Sequence, residues 1–165
     1  MTIFPLLMLM MQTVVNMTEP ASVAEHHAEV HDGKVYDEGR DAHADVDAAL
    51  IRAATSNKRV IVVMGANWCH DSQSLGRRFE TPRFAEMMQP RYEIVYVDVG
   101  KPQTGSGRNL DIAKRFDAKK IKGTPTVLIL SPQGKLLNKK DAGSWRNAAS
   151  RSEDDIFRSF AEFGR

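Results

Sequence analysis

One residue in this sequence can carry reactive sulfur chemistry. Cys69 is the sole cysteine of the 165 residues, and it stands in the run Ala66-Asn67-Trp68-Cys69-His70-Asp71-Ser72. The thiolate is the nucleophilic form of cysteine, and unsatisfied backbone N–H groups at the positive end of a helix dipole favour it. The flanking residues predict such a place: Val60 to Met64 is an apolar, largely β-branched run, small residues follow, and Gln73 to Phe79 has helix-forming composition. Cys69 is therefore expected where a strand hands over to the first turn of a helix. A protonated His70 and a hydrogen bond from the Ser72 hydroxyl would each favour the thiolate, and Asp71 would oppose it. A lone cysteine excludes an intrachain disulfide and a thiolate-based zinc site, so an outside thiol must complete any redox cycle.

The elements that must position this thiol follow from periodicity. Val46, Ala49, Leu50 and Ala53 recur at helical spacing within 41–57, behind an acidic start. Val60 to Met64 has the unbroken apolar character of a strand covered on both faces. After the cysteine, Leu75 and Phe79 mark an inward helix face, Thr81-Pro82 interrupts it, and Phe84 to Met88 continues to Pro90. Ile94 to Val99 is a second strand. Gly100 to Gly107 reads as a loop, and Asn109 to Phe116 as a short helix. Thr126 to Leu130 and Lys135 to Leu137, joined by the turn Ser131-Pro132-Gln133-Gly134, predict an antiparallel hairpin. Ser152 caps a closing amphipathic helix through Ile156, Phe157, Phe160 and Phe163. The order implies an α/β fold with a central mixed sheet and helices on both faces.

Length and charge narrow the function classes. A chain of 165 residues fits one domain that needs no metal or disulfide to fold. With 23 basic against 21 acidic residues and no basic block, nucleic acid is not an expected partner. No Gly-x-x-x-x-Gly-Lys-Ser/Thr loop is present, which argues against nucleotide binding. His26, His27 and His31 stand near Glu29, yet no second cluster exists to close a metal shell, so no metal site is expected. Ile3 to Met11 has the length of a signal-peptide core rather than a bilayer span, and Ser22-Val23-Ala24 suits cleavage after Ala24. This divides the chain into a signal peptide at 1–24, a flexible lead-in at 25–40 and a domain at 41–165. A periplasmic or secreted location is expected, with no stable membrane span in the mature chain; the alternative is cytoplasmic.

Three features resemble the thioredoxin superfamily: the strand ending in Ala66-Asn67-Trp68-Cys69, the helix after the cysteine, and Ile121-Lys122-Gly123-Thr124-Pro125-Thr126 ahead of the hairpin. The resemblance covers roughly residues 41 to the C-terminus and implies a thioredoxin-like three-layer sandwich. It implies that Pro125 is a cis-proline beside Cys69 and that Thr124 offers its backbone to an extended substrate, with Trp68 at the same groove. Redox-active members carry Cys-x-x-Cys, where this chain has Cys69-His70-Asp71-Ser72. Many also carry a buried acid six positions before the first cysteine, and here that position is Val63. Losing the resolving thiol and its proton acceptor together is chemically coherent, because a buried carboxylate serving an absent thiol would carry an uncompensated desolvation cost.

The expected function is monothiol thiol–disulfide exchange, with Cys69, His70 and Ser72 at the reaction centre and Trp68, Thr124 and Pro125 contacting protein or peptide thiols and disulfides. No bound cofactor is expected, and glutathione is the candidate co-substrate. The alternative is a non-catalytic peptide-binding or chaperone-like module using the groove beside Pro125. Iron–sulfur ligation ranks below both, since Trp68 and His70 depart from the small loop of cluster-binding relatives.

Overall fold

The computed structural model describes residues 33–163 apart from Lys119. The signal-peptide stretch, its cleavage position and His26, His27 and His31 lie outside the described residues. In chain order the elements are α1 (Ala42–Ser56), β1 (Arg59–Gly65), α2 (His70–Phe79), α3 (Pro82–Met88), β2 (Tyr92–Asp98), the short strands β3 (Gly100–Lys101) and β4 (Ser106–Gly107), α4 (Asp111–Arg115), β5 (Thr126–Leu130) and α5 (Glu153–Phe163).

Local chemistry sets the helix limits. The Asp41 carboxylate accepts hydrogen bonds from the backbone N–H groups of His43 and Ala44 at 3.1 Å, and Asn57 closes α1 in the left-handed region at φ 54°. A cap of this kind contributes about 1 kcal/mol. Pro82 fits the first turn of α3, where its missing N–H is not needed. Ser152 Oγ accepts from the Asp155 N–H at 3.1 Å and starts α5.

The main sheet has three strands in the order β2-β1-β5, with β1 parallel to β2 and antiparallel to β5. Ile61 pairs with Ile94 on one side and Ile129 on the other. Val60 through Met64 are fully buried, and their alternation divides the core in two. Ile61 and Val63 pack with Leu75, Phe79, Phe84 and Phe160 of α2, α3 and α5. Val60, Val62 and Met64 pack with Val46, Ala49 and Ala53 of α1 and with Ile112 of α4. The expected sandwich of a mixed sheet between helix layers is therefore present.

Three expectations need correction. The hairpin partner at Lys135 to Leu137 is reduced to one bridge, Leu130 to Leu136. The outer edge of β5 is met by other groups. Asn138 Nδ2 donates to Val127 O at 2.8 Å, its Oδ1 accepts from Ile129 N at 2.9 Å, and Val127 N donates to Ala142 O at 2.8 Å. A side chain that satisfies both a donor and an acceptor removes the need for a regular strand there. The Gly100 to Gly107 loop contains the β3–β4 ladder, turned by Pro102–Thr104 and by Gly105 at φ 82°. The lead-in is not wholly an exposed arm: Val35 is 7 % and Tyr36 is 1 % exposed, both within the core.

Tyr36 packs edge-on against Tyr96 with ring centroids 5.8 Å apart, so the segment before α1 is part of the folded unit. Tyr36→Ala is expected to lower stability by about 3 kcal/mol or more in urea unfolding, as for other buried aromatics. Ile51→Ala, on a side chain that is 69 % exposed, should stay within about 0.5 kcal/mol. Equal values for the two would contradict the packing described.

Candidate active site

β1 ends at Gly65, and the chain turns through Ala66, Asn67 and Trp68 into Cys69, which is the N-cap of α2 with φ −91° and ψ 116°. Backbone bonds fix this corner: Cys69 N donates to Ala66 O at 3.1 Å, and Gln73 N donates to Cys69 O at 3.0 Å. The Gln73 side-chain amide also donates to Asn67 O. The expectation of a cysteine at the strand-to-helix handover describes this corner.

The thiol does not cap the helix. Its Sγ–H donates to the carbonyl oxygen of Thr124 at 3.4 Å, and Cys69 as a whole is 8 % exposed. The first-turn N–H groups of α2 have no side-chain acceptor at the N-cap, so they remain available to a negative charge at the sulfur. The Thr124–Pro125 peptide bond is cis, and Thr126 Oγ1 donates to Gly123 O at 3.0 Å, closing the loop that leads into β5. The structure thus brings Cys69, Thr124 and Pro125 together across 55 residues of sequence separation.

The remaining candidates divide by position. Trp68 is 50 % exposed, yet its indole N–H is tied to Gly100 O at 2.8 Å, which fixes the ring against the backbone of β3. His70 opens α2 on its outer side and lines a shallow groove with Gln73, Ser74, Arg77, Arg78 and Thr81. The Asp71 carboxylate accepts the Ala149 N–H at 2.8 Å and is thereby engaged with the segment before α5. Ser72 is fully buried, and among the described residues its Oγ has no hydrogen-bond partner; Thr124 Oγ1 shares that condition. Val63 lies in the apolar core, opposite Tyr96 and Val127.

Sequence reasoning missed the residues beneath the corner. Tyr36 reaches Ser72, its hydroxyl donating to the Ser72 carbonyl at 3.4 Å. Burial pushes the Tyr36 phenol far above its ordinary value, so it stays neutral and can only donate or accept a hydrogen bond. Gly65 is required here: a Cβ on it would lie 2.4 Å from Tyr36 Oη and 2.7 Å from Ser72 Oγ. Asn67 secures the same segment, accepting from Val35 N at 3.2 Å and Tyr36 N at 3.0 Å and donating to Tyr36 O at 2.5 Å. The apolar pair Val35-Tyr36 in a polar stretch was the signal available for this contact.

Among the described residues the one buried carboxylate is Asp98, paired in register with Gly65 at the end of β2. Its Oδ1 accepts from Gly100 N at 2.9 Å and faces Arg108 Nε at 3.3 Å. Burial raises its pKa above the ordinary 3.8, against the lowering effects of the Gly100 N–H and Arg108. Among the described residues, no group of three or more His, Cys, Asp or Glu side chains could hold a metal ion. Nor is any described helix long and apolar enough to cross a membrane.

A family model described as thioredoxin-like matches residues 41–132. Among solved structures, a disulphide isomerase from Xylella fastidiosa is 29 % identical with a TM-score of 0.70, covering 79 % of this chain and 96 % of that one. A protein of unknown function from Pseudomonas aeruginosa is 16 % identical with a TM-score of 0.37, covering 76 % of this chain and 88 % of that one. No curated protein matches.

The raised pKa of Asp98 fixes a sign. Its protonated form is favoured by folding, so its contribution to stability is fully present below 3.8 and is lost as pH rises through the higher folded value. Asp98→Asn should therefore lose less stability between that acid limit and neutrality than the parent protein does, measured by urea unfolding across the range. Parallel pH profiles for the two proteins would refute this.

Proposed function

The chain belongs to the thioredoxin-like family, and we propose that it performs thiol–disulfide exchange through the single thiol of Cys69. The observation that carries the proposal is the position of Sγ at the start of α2, 3.4 Å from the Thr124 carbonyl beside Pro125, with a serine at position 72. The disulphide isomerase from Xylella fastidiosa, similar over most of its length, supports the same class of chemistry.

In this reading the Cys69 thiolate attacks one sulfur of a substrate disulfide. A new S–S bond forms to Sγ, the original S–S bond breaks, and the departing sulfur leaves as a thiolate that takes up a proton. Deprotonation ends the Sγ–H donation to Thr124 O and leaves the sulfur facing the open N–H groups of the first turn of α2. The mixed disulfide needs a second thiolate, and none is within the chain: Ser72 is a hydroxyl, and the neutral Tyr36 phenol is no base. A first external thiolate, from glutathione or a protein, attacks Sγ of the mixed disulfide and releases the substrate's second sulfur as a thiolate. A second external thiol then attacks the new adduct and frees Cys69, so two external thiols become a disulfide as the substrate disulfide becomes two thiols. Trp68 and the backbone of Thr124 contact the polypeptide on either side of the reacting sulfur.

The peptide-binding alternative draws on the low exposure of Cys69 and the rigidly held, exposed Trp68. Export belongs to the exchange reading, since disulfides persist in periplasmic and extracellular space.

Cys69→Ser should reduce turnover in a glutathione-coupled disulfide assay to the uncatalysed rate. An unchanged rate would rule out the exchange reading. Ser72→Cys restores an internal resolving sulfur, so the adduct trapped on Cys69 should fall by about tenfold or more and an internal disulfide should appear by mass spectrometry. An adduct level equal to that of the parent protein would show that position 72 cannot reach the mixed disulfide.

A further inference from the structure

Six arginines among the described residues end on a carboxylate, as Arg52 does on Glu93, Arg83 on Glu153 and Asp154, and Arg108 on Glu38 and Asp98. Arg77, Arg78, Arg91 and Arg151 each place an Nη group on a carbonyl or amide oxygen. Arg146 differs. Among the described residues its one hydrogen bond is from Nε to Gly143 O at 3.2 Å, and no carboxylate meets its Nη groups. Its stem lies on the backbone of Gly123: a Cβ there would stand 2.6 Å from Arg146 Cδ and 3.7 Å from Nη1. Gly123 immediately precedes Thr124, whose carbonyl accepts the Cys69 Sγ–H. The absence of a side chain at Gly123 is what lets the arginine settle on the segment whose next carbonyl meets the thiol.

The loop that Arg146 rests on agrees in sign. Residues 118–140, which include the loop over the thiol, contain no aspartate or glutamate, and Lys122 beside Gly123 is exposed. Asp71, two residues after the cysteine, is the opposing charge, and one of its oxygens accepts the Ala149 N–H at 2.8 Å. A guanidinium presents a planar fork that matches a carboxylate in two parallel hydrogen bonds, which a lysine cannot do.

We propose that Arg146 is a specificity-determining anchor for a carboxylate carried by the thiol or disulfide partner of Cys69, so that the site selects acidic partners. The proposal rests on the exchange reading for the identity of the partner, and on the Gly123–Arg146 contact for the anchor. The shared chemistry is a carboxylate near the reacting sulfur, supplied by an acidic side chain of a polypeptide or by a small thiol such as glutathione.

The test uses three probes: a short peptide disulfide with Glu flanking its cysteine, the same peptide with Gln, and glutathione disulfide. Turnover is measured on the full chain with dithiothreitol, a reductant that carries no carboxylate, and binding is read from tryptophan fluorescence in the Cys69→Ser protein. The parent chain should favour the Glu peptide over the Gln peptide by about three- to tenfold, chiefly through KM. Arg146→Gln should bring that ratio to about one, Arg146→Lys should keep part of it, and Gly123→Ala should reduce it by lifting the arginine from its seat. Dependence of glutathione disulfide turnover on Arg146 points to the small thiol, and dependence confined to peptides points to acidic polypeptides. Turnover whose ranking is untouched by Arg146→Gln overturns the anchor and leaves exchange standing. No turnover, with a binding ranking that Arg146→Gln levels, overturns exchange and leaves the anchor. No ranking in either readout overturns the anchor.

Discussion

Strand β1 is covered on both faces, with Val60, Val62 and Met64 against α1 and α4 and with Ile61 and Val63 against α2, α3 and α5. The rest of the molecule depends on this two-sided burial. A strand with side chains in two cores cannot slip by one residue without exchanging its whole inner pattern. Its end at Gly65 is therefore fixed, and with it the corner that delivers Cys69 to the first turn of α2. The partner strands inherit that register: β2 brings Asp98 opposite Gly65, and β5 brings Thr126 opposite Met64, so the Thr124–Pro125 loop arrives over the thiol.

Beneath the corner, hydrogen bonding and shape replace acid–base chemistry. The space that Gly65 leaves open is filled by the Tyr36 hydroxyl and the Ser72 side chain, and Val63 adds only apolar surface. Asn67 clamps the backbone of Val35 and Tyr36 from above, so one amide side chain joins the segment before α1 to the turn before the cysteine. Tyr36 and Ser72 bring no charge to the floor of the site, since the phenol does not ionise and position 72 has no thiol, and the buried carboxylate that lies nearby is Asp98 at the end of β2. The exposed cations Lys122 and Arg146 flank Gly123, whose neighbour Thr124 meets the thiol.

The outer edge of β5 shows how the same principle shapes the fold. An unpaired edge would expose backbone groups to another chain. Asn138 and the Ala142 carbonyl satisfy those groups without a fourth regular strand, which is why the segment from Lys135 to Leu137 keeps a turn and one bridge but no ladder. The turn composition of Ser131 to Gly134 indicated a hairpin strand there. What it could not reveal is that a neighbouring side chain would take the hydrogen bonds.

The sequence by itself determined the elements whose cause is local. Asp41 and Ser152 mark helix starts by chemistry that acts within a turn, and the unbroken run from Val60 to Met64 announces two-sided burial without reference to its partners. The corner at Trp68-Cys69 and the Gly123-Thr124-Pro125 segment were legible as motifs, and so was the replacement of a second thiol by Ser72. Only the tertiary structure decided what these residues touch. The burial of Tyr36 under Gly65, the pairing of Asp98 with the end of β1, the capture of the β5 edge by Asn138 and the seat of Arg146 on Gly123 all join residues far apart in the chain. Each depends on close approach in three dimensions, which periodicity and composition do not encode.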